Sequence, residues 1–196
     1  MKILIATKNP AKAREVRTFL GEGFKLVSLF DFSNAPDVEE TGKTFEANSL
    51  LKARTYFEWS GLPSISDDGG LEIDYLNGEP GVLSRRWPGH EASDQELIDI
   101  ALKKLKGVPK EKRTAHLRTV GTFYDGTNTL VETASIDGYI VEEYPGKCEP
   151  GYPFRSIFWI PQFHKLYQDL SHEEHDAVNH RRIVYTKLRN DIMQLI

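Results

Sequence analysis

The stretch ILIATKNPAKAREVRTFLGEGFKLVSL, residues 3–29, decides the fold class. Ile3 to Ala6 is a continuous apolar run, the mark of a strand buried on both faces. Asn9-Pro10 follows at once. Asparagine is a preferred N-cap, and proline suits the first helical position because its missing N–H would have no intrahelical partner there. Ala13, Val16, Phe19 and Leu20 recur at helical spacing, Gly21 and Gly23 stop the helix, and Phe24 to Leu29 reads as a second strand. This β-α-β opening predicts an α/β protein.

The same reading extends outward. A second helix is predicted from Thr44 to about Ser60, closed by Gly61 and Pro63. Ser64-Ile65-Ser66 is a short strand ending at Asp67-Asp68-Gly69-Gly70, and Leu71 to Leu76 is a separate half-buried strand. Ser93-Asp94-Gln95-Glu96 has the spacing of a capping box before Leu97, Ile98, Ala101, Leu102 and Leu105. Ala115 to Tyr124 and Thr129 to Ile140 flank Asp125-Gly126-Thr127-Asn128 as an antiparallel hairpin. Ser156 to Ile160 is a further short strand. Ser171-His172-Glu173-Glu174 caps one final helix with Ala177, Val184, Leu188, Ile192 and Leu195 on one face. No repeat or linker interrupts the chain, so residues 1–196 are read as a single domain: a mixed α/β twisted sheet flanked by helices, with room for two lobes.

Composition excludes several classes. Of 196 residues, 39% are hydrophobic and 28% charged, which rules out global disorder and fibrous repeats. Lys+Arg number 25 against 29 Asp+Glu, a net charge of −4, so neither nucleic acid nor an anionic membrane is an expected partner. The single cysteine, Cys148, permits no intramolecular disulfide and fits a reducing compartment. No apolar run reaches membrane-spanning length, and a cytoplasmic location is expected. No nucleophile elbow supports serine-hydrolase chemistry.

Four constellations can carry chemistry, and each has an ordinary structural reading beside it. Thr7, Lys8, Asn9 and Lys12 surround a helix start whose amides, dipole and ammonium groups would suit a phosphate; they equally make a plain capped helix with solvated lysines. Asn48 and Lys52 share a helical face and could both address a ligand, or form a solvated polar face. Asp67 and Asp68 offer oxygen ligands to Mg²⁺ and a water-activating base, with Gly69 letting phosphate oxygens approach the backbone; the alternative is an Asp-Gly turn. Of His180 and Arg181 on the final helix, at least one must leave the apolar stripe, and arginine there would suit a phosphate or a base carbonyl.

The order TKNPAKAREV, EETGKTFEANSLLKA, ISDDGGLEIDYLNGEPGVLSRRWPG and a late NHR resembles the inosine triphosphate pyrophosphatase family. The likeness covers nearly the whole chain and is tightest through about Gly89. It implies an elongated, usually homodimeric α/β fold with a nucleotide cleft between two lobes. It also implies Mg²⁺-dependent hydrolysis (Mn²⁺ being a substitute) of ITP, dITP and XTP to the monophosphate and pyrophosphate, a house-cleaning role on the nucleotide pool. By that resemblance Thr7, Asn9 and Lys12 hold the triphosphate, Lys52 is a phosphate-side lysine, Glu40 and Asp68 are the metal and catalytic acids, and Asp67 is their acidic neighbour. Asp68 is then the general base, and Lys12 and Lys52 neutralise the departing pyrophosphate.

The departures lie on the base side. The family's aromatic-Gly-Tyr-Asp-Pro segment reads Pro150-Gly151-Tyr152-Pro153-Phe154-Arg155-Ser156 here, without its aspartate. Phe154 and Arg155 fall near that place and offer a stacking face and a forked donor, or else Arg155 points to solvent. His175, His180 and Arg181 complete the expected base pocket. Two rivals stand beside this reading: a pyrophosphatase for another modified or pyrimidine nucleotide, and a nucleotide-binding module without turnover.

Overall fold

The computed structural model describes every residue, Met1–Ile196. Eight strands hydrogen-bond in the order β2-β1-β3-β5-β6-β7-β8, with β4 added beside β3. They are β1 (Lys2–Ile5), β2 (Lys25–Ser28), β3 (Ser64–Ile73), β4 (Glu79–Pro80), β5 (Thr114–Tyr124), β6 (Thr129–Ile140), β7 (Phe158–Ile160) and β8 (Lys165–Leu166). The helices are α1 (Pro10–Leu20), α2 (Phe45–Ser60), α3 (Asp94–Lys104), α4 (His172–Val178) and α5 (His180–Gln194). β1 runs parallel to β2 and β3, whereas β4, β7 and β8 pair antiparallel with their neighbours. The expected mixed sheet flanked by helices is therefore what forms. No helix is long and apolar enough to cross a membrane.

The chain divides into two compact units. The first comprises Met1–Asp68, Thr119–Ala134 and His180–Ile196; the second comprises Gly69–Arg118 and Ser135–Asn179. In the first unit, α1 carries the chain from β1 to β2 on one side, and α2 carries it back past β1 to β3 on the other. Right-handed crossovers in opposite directions put their helices on opposite faces of a sheet. Accordingly Ile3, Ile5, Val16, Leu20, Ile65, Val184 and Leu188 form one core with α1 and α5, while Leu4, Ala6, Leu29 and Tyr56 form another beneath α2. Ile3, Leu4 and Ile5 are all fully buried, as the apolar run predicts. The second unit has its own core, in which Leu71, Ile73, Leu97, Ile98 and Ala101 meet Ile140, Phe158 and Tyr167.

Helix boundaries follow the caps. The Asn9 side chain accepts from the amides of Ala11 and Lys12, Thr44 accepts from Ala47, and Gly61 ends α2 in the left-handed conformation. Three expectations are corrected. Asp67-Asp68-Gly69-Gly70 is not a turn after a short strand: β3 runs unbroken from Ser64 to Ile73. β3 is held by β1 at Ser64 and Ile65, by β4 at Glu72 and Ile73 and by β5 on the side away from β1, and this pairing overrides the weak strand propensity of glycine and aspartate. Gly70 is required there because a Cβ would lie 2.0 Å from Ser84 Oγ and 2.8 Å from the Gly81 carbonyl oxygen. The single final helix is two, α4 and α5, parted at Asn179, whose ψ of 106° is extended. The chain passes from the second unit to the first at that residue. Ala177 consequently lies exposed rather than on the apolar stripe, and Leu195 lies beyond the end of α5. At Ser93 only half of the capping box forms, since Glu96 turns its carboxylate to His90 instead.

Candidate active site

β1 and β3 are parallel neighbours, and β1 ends at Ile5 where β3 runs on past it, so the loop after β1 opens beside the middle of β3, at the kind of switch point where open α/β sheets bind ligands. The Ala6 amide donates to the Ile65 carbonyl at 2.8 Å, which sets the loop after β1 beside Ser66, Asp67 and Asp68. Successive strand residues face opposite sides of a sheet, so the two aspartates part. Asp67 shares the face of Ile65, toward α1 and α5; Asp68 shares the face of Ser66, toward α2.

On the first face Lys12 Nζ lies 3.0 Å from Asp67 Oδ2, and Arg181 Nε lies 3.5 Å from the same oxygen and 3.6 Å from Glu15 Oε2. The Asp67 side chain is only 1% exposed. Burial alone would raise its pKa, but the Lys12, Arg181 and Lys52 charges outweigh burial and hold the carboxyl well below the ordinary range. Tyr185, fully buried beside Asp67, is pushed far above the usual phenol range by burial and then by that carboxylate's charge. Asp67 is thus an anchor for two cations rather than a second oxygen ligand next to Asp68.

On the second face Lys52 Nζ contacts Glu40 Oε1 directly and lies 3.9 Å from Asp68 Oδ1. Burial would lower the Lys52 pKa; Asp68, Glu40 and Asp67 together raise it above the ordinary value, so the ammonium persists. The Asp68 carboxyl moves up, because burial and the nearby Glu40 charge exceed the opposing effects of Lys52, Lys12 and Asn48. A raised carboxyl is what a general base needs to hold and release a proton nearer neutrality.

Asn48 is fully buried, and both ends of its carboxamide are committed. Nδ2 donates to Asp68 Oδ2 at 3.0 Å, and Oδ1 accepts from the Gly42 amide at 2.7 Å. Through these two bonds Asn48 ties the segment bearing Glu40 to the strand bearing Asp68. Only glycine fits at 42, since a Cβ would stand 2.5 Å from Asn48 Oδ1. Beneath it, buried Ser49 donates to Thr122 Oγ1 at 2.9 Å and Ser66 donates to the Ser49 carbonyl, pinning α2 to β3 and β5.

The helix start differs from expectation as well. Asn9 Oδ1 takes the Ala11 and Lys12 amides at 2.9 and 3.2 Å, the Ala13 amide bonds to the Asn9 carbonyl, and Pro10 has no N–H. Thr7 Oγ1 accepts from the Asn9 amide at 3.2 Å. The first turn of α1 therefore has no uncommitted amide for an anion, and its positive character there lies in the dipole and Lys12. Lys8 turns away to an exposed pairing with Asp37.

Gly69 follows Asp68 within β3, and His180 and Arg181 are both buried at the start of α5. In the second unit the Arg155 guanidinium carbon stands 3.6 Å from the centre of the Tyr152 ring and 4.9 Å from that of Tyr167, with Nη1 3.1 Å from Glu149 Oε2. The solvent-facing alternative for Arg155 is overturned, since two aromatic rings and a carboxylate bury it. His175 meets the Tyr167 ring edge-on at 5.1 Å and lies against Asn179. Phe154 offers no open stacking face: it is buried in the second core, edge-on to Trp87.

Glu15 and Tyr185 escaped the sequence reading, although Glu15 stands three residues from Lys12 and Tyr185 four from Arg181, spacings that share a helical face. Tyr167 and Glu149 carried no such signal. As for a metal, Glu40 and Asp68 are hard oxygen donors that fit Mg²⁺, yet no group of three or more His, Cys, Asp or Glu could hold an ion by itself. One or two carboxylates, with water and substrate phosphate completing the shell, is how Mg²⁺ is commonly bound.

Residues 3–191 match the model of the Ham1 family. A dITP/XTP pyrophosphatase of Geobacillus kaustophilus is 41% identical over 95% of this chain and 92% of its own length, and one from Bacillus licheniformis is 38% identical over 95% of each. The Ham1 protein of Staphylococcus aureus superposes with a TM-score of 0.86 at 30% identity, each chain covered completely. A nucleoside-triphosphatase, dITP/XTP pyrophosphatase, of Mycobacterium abscessus gives 0.77 at 36% identity, covering 93% of this chain and 96% of that one. With likeness running from β1 into α5 and the fold matching end to end, the chain belongs to the Ham1 family.

Proposed function

We propose that this protein hydrolyses aberrant purine nucleoside triphosphates, ITP, dITP and XTP, to the monophosphate and pyrophosphate, acting as a cytoplasmic, homodimeric, Mg²⁺-dependent enzyme of nucleotide-pool house-cleaning. The observation that carries the reading is the assembly of Lys12, Lys52, Glu40 and Asp68 around the β1–β3 switch point. Its support is kinship with the dITP/XTP pyrophosphatases.

Asp68, with its raised carboxyl, accepts the proton of the attacking water. Asn48 holds one Asp68 oxygen, leaving the other to face Lys52. Lys12 and Lys52 place two ammonium groups where negative charge grows on the departing pyrophosphate. Glu40 and Asp68 would hold the Mg²⁺, which when bound polarises phosphate oxygens and neutralises their charge.

The test is pyrophosphate release from ITP, dITP, XTP, GTP and ATP with Mg²⁺, repeated in excess EDTA. Preference for the first three and loss of activity with chelator are expected. A preference for ATP overturns the substrate assignment, and full activity in EDTA overturns the metal.

A further inference from the structure

Lys52 holds an unusual position for a lysine expected to serve a phosphate. Its ammonium touches Glu40 and stands 3.9 Å from Asp68, and all three side chains are withdrawn from solvent, at 13%, 28% and 8% exposed. It projects from the middle of α2, a helix pinned to the sheet through Ser49, Ser66 and Thr122. Lys12, the other lysine nearby, pairs with Asp67 at 3.0 Å rather than with Glu40 or Asp68.

We propose that Lys52 is an internal counter-ion that keeps a divalent cation off the Glu40–Asp68 pair in the nucleotide-free protein, so that the cation arrives with the triphosphate and not ahead of it. The inference rests on the reading that Glu40 and Asp68 hold the metal. Those two carboxylates already share one cation. A divalent ion bound to both would lie within a few ångströms of the ammonium, in a partly desolvated site where like charges repel strongly. No third His, Cys, Asp or Glu completes a metal-holding group with them to offset this repulsion. A metal-bound triphosphate removes the conflict, because it supplies further oxygen ligands for the ion and an anionic group for Lys52. The flexible four-carbon stem of lysine lets the ammonium transfer from carboxylate to phosphate while α2 stays fixed.

The test titrates Mn²⁺ alone into the nucleotide-free protein, following unbound Mn²⁺ by electron paramagnetic resonance. Removing one positive charge beside the carboxylates is expected to tighten Mn²⁺ binding at least about tenfold in Lys52→Gln, while Lys52→Arg stays as weak as the native protein. Equal or weaker binding by folded Lys52→Gln overturns the proposal. In the double variant Lys52→Gln/Asp68→Asn the gain should vanish. If it persists, the ion lies elsewhere, and it is the assignment of Glu40 and Asp68 that fails. A second measurement needs no variant: native protein should retain Mn²⁺ well only when an α,β-methylene analogue of inosine triphosphate is present. Equally tight retention without the analogue overturns the counter-ion role.

Discussion

Asp67 and Asp68 are adjacent in sequence and unlike in role because strand alternation sends their carboxylates to opposite faces of β3. Asp68→Asn keeps the shape while removing the proton acceptor, so turnover should fall by at least about a hundredfold with nucleotide affinity held within about tenfold. Single-turnover kinetics beside equilibrium binding will read both. Asp67→Asn acts instead on stability, since it leaves Lys12 and Arg181 facing a neutral buried amide; a cost of about 3 kcal/mol in urea unfolding is expected. The sign with pH follows from the depressed carboxyl. Its stabilising contribution is fully present above the unfolded value of 3.8 and is lost as pH falls below this toward the folded one. Unfolding free energies of the native protein and Asp67→Asn should keep their gap from pH 7 to about pH 4 and draw together only as the pH is lowered further, toward about pH 2. A gap that stays constant to the lowest pH would place the native stabilisation elsewhere.

Among the elements, α1 was legible to the residue, because Asn9, Pro10 and Gly21 are local signals and the cap bonds they predict all form. Asn9→Ala should cost about 1 kcal/mol of stability and release the Ala11 and Lys12 amides. β3 was legible only at its two ends, Ser64 to Ser66 and from Leu71 onward. Its continuation through Gly69 and Gly70 depends on flanking strands far away in sequence, which no local propensity registers. The Gly42 segment offers the complementary test. Gly42→Ala forces a methyl group against Asn48 Oδ1, so Asn48 must release either the Gly42 amide or Asp68. kcat should fall more than KM rises, and Asn48→Leu should give the same pattern. A rise in KM alone would return Asn48 to substrate binding.

For the whole molecule, the catalytic candidates collect in one compact unit and the altered base-side segment in the other. Arg155 is clasped by Tyr152, Tyr167 and Glu149, so Arg155→Ala should loosen both rings together. kcat/KM for ITP, XTP, GTP and ATP is expected to fall by similar factors, leaving their ratios within about threefold, because a bracing residue supports every bound base alike. A selective change for the 6-keto purines would instead make the guanidinium itself a reader of the base.

The sequence by itself determined what rests on neighbours along the chain: the β-α-β opening, the caps of α1 and α2, the hairpin turn at Asp125, and the residue types whose order marks the family. Those signals are short-range, being hydrogen bonds within a few residues and apolar periodicity. Only the tertiary structure decided which groups meet. It placed Lys12 on Asp67 and Lys52 between Glu40 and Asp68, bonded Asn48 to both Asp68 and Gly42, buried Arg155 and parted the last helix at Asn179. Each outcome depends on the pairing of β3 between distant strands and on helices packed to opposite faces of the sheet, and such long-range burial leaves no local trace.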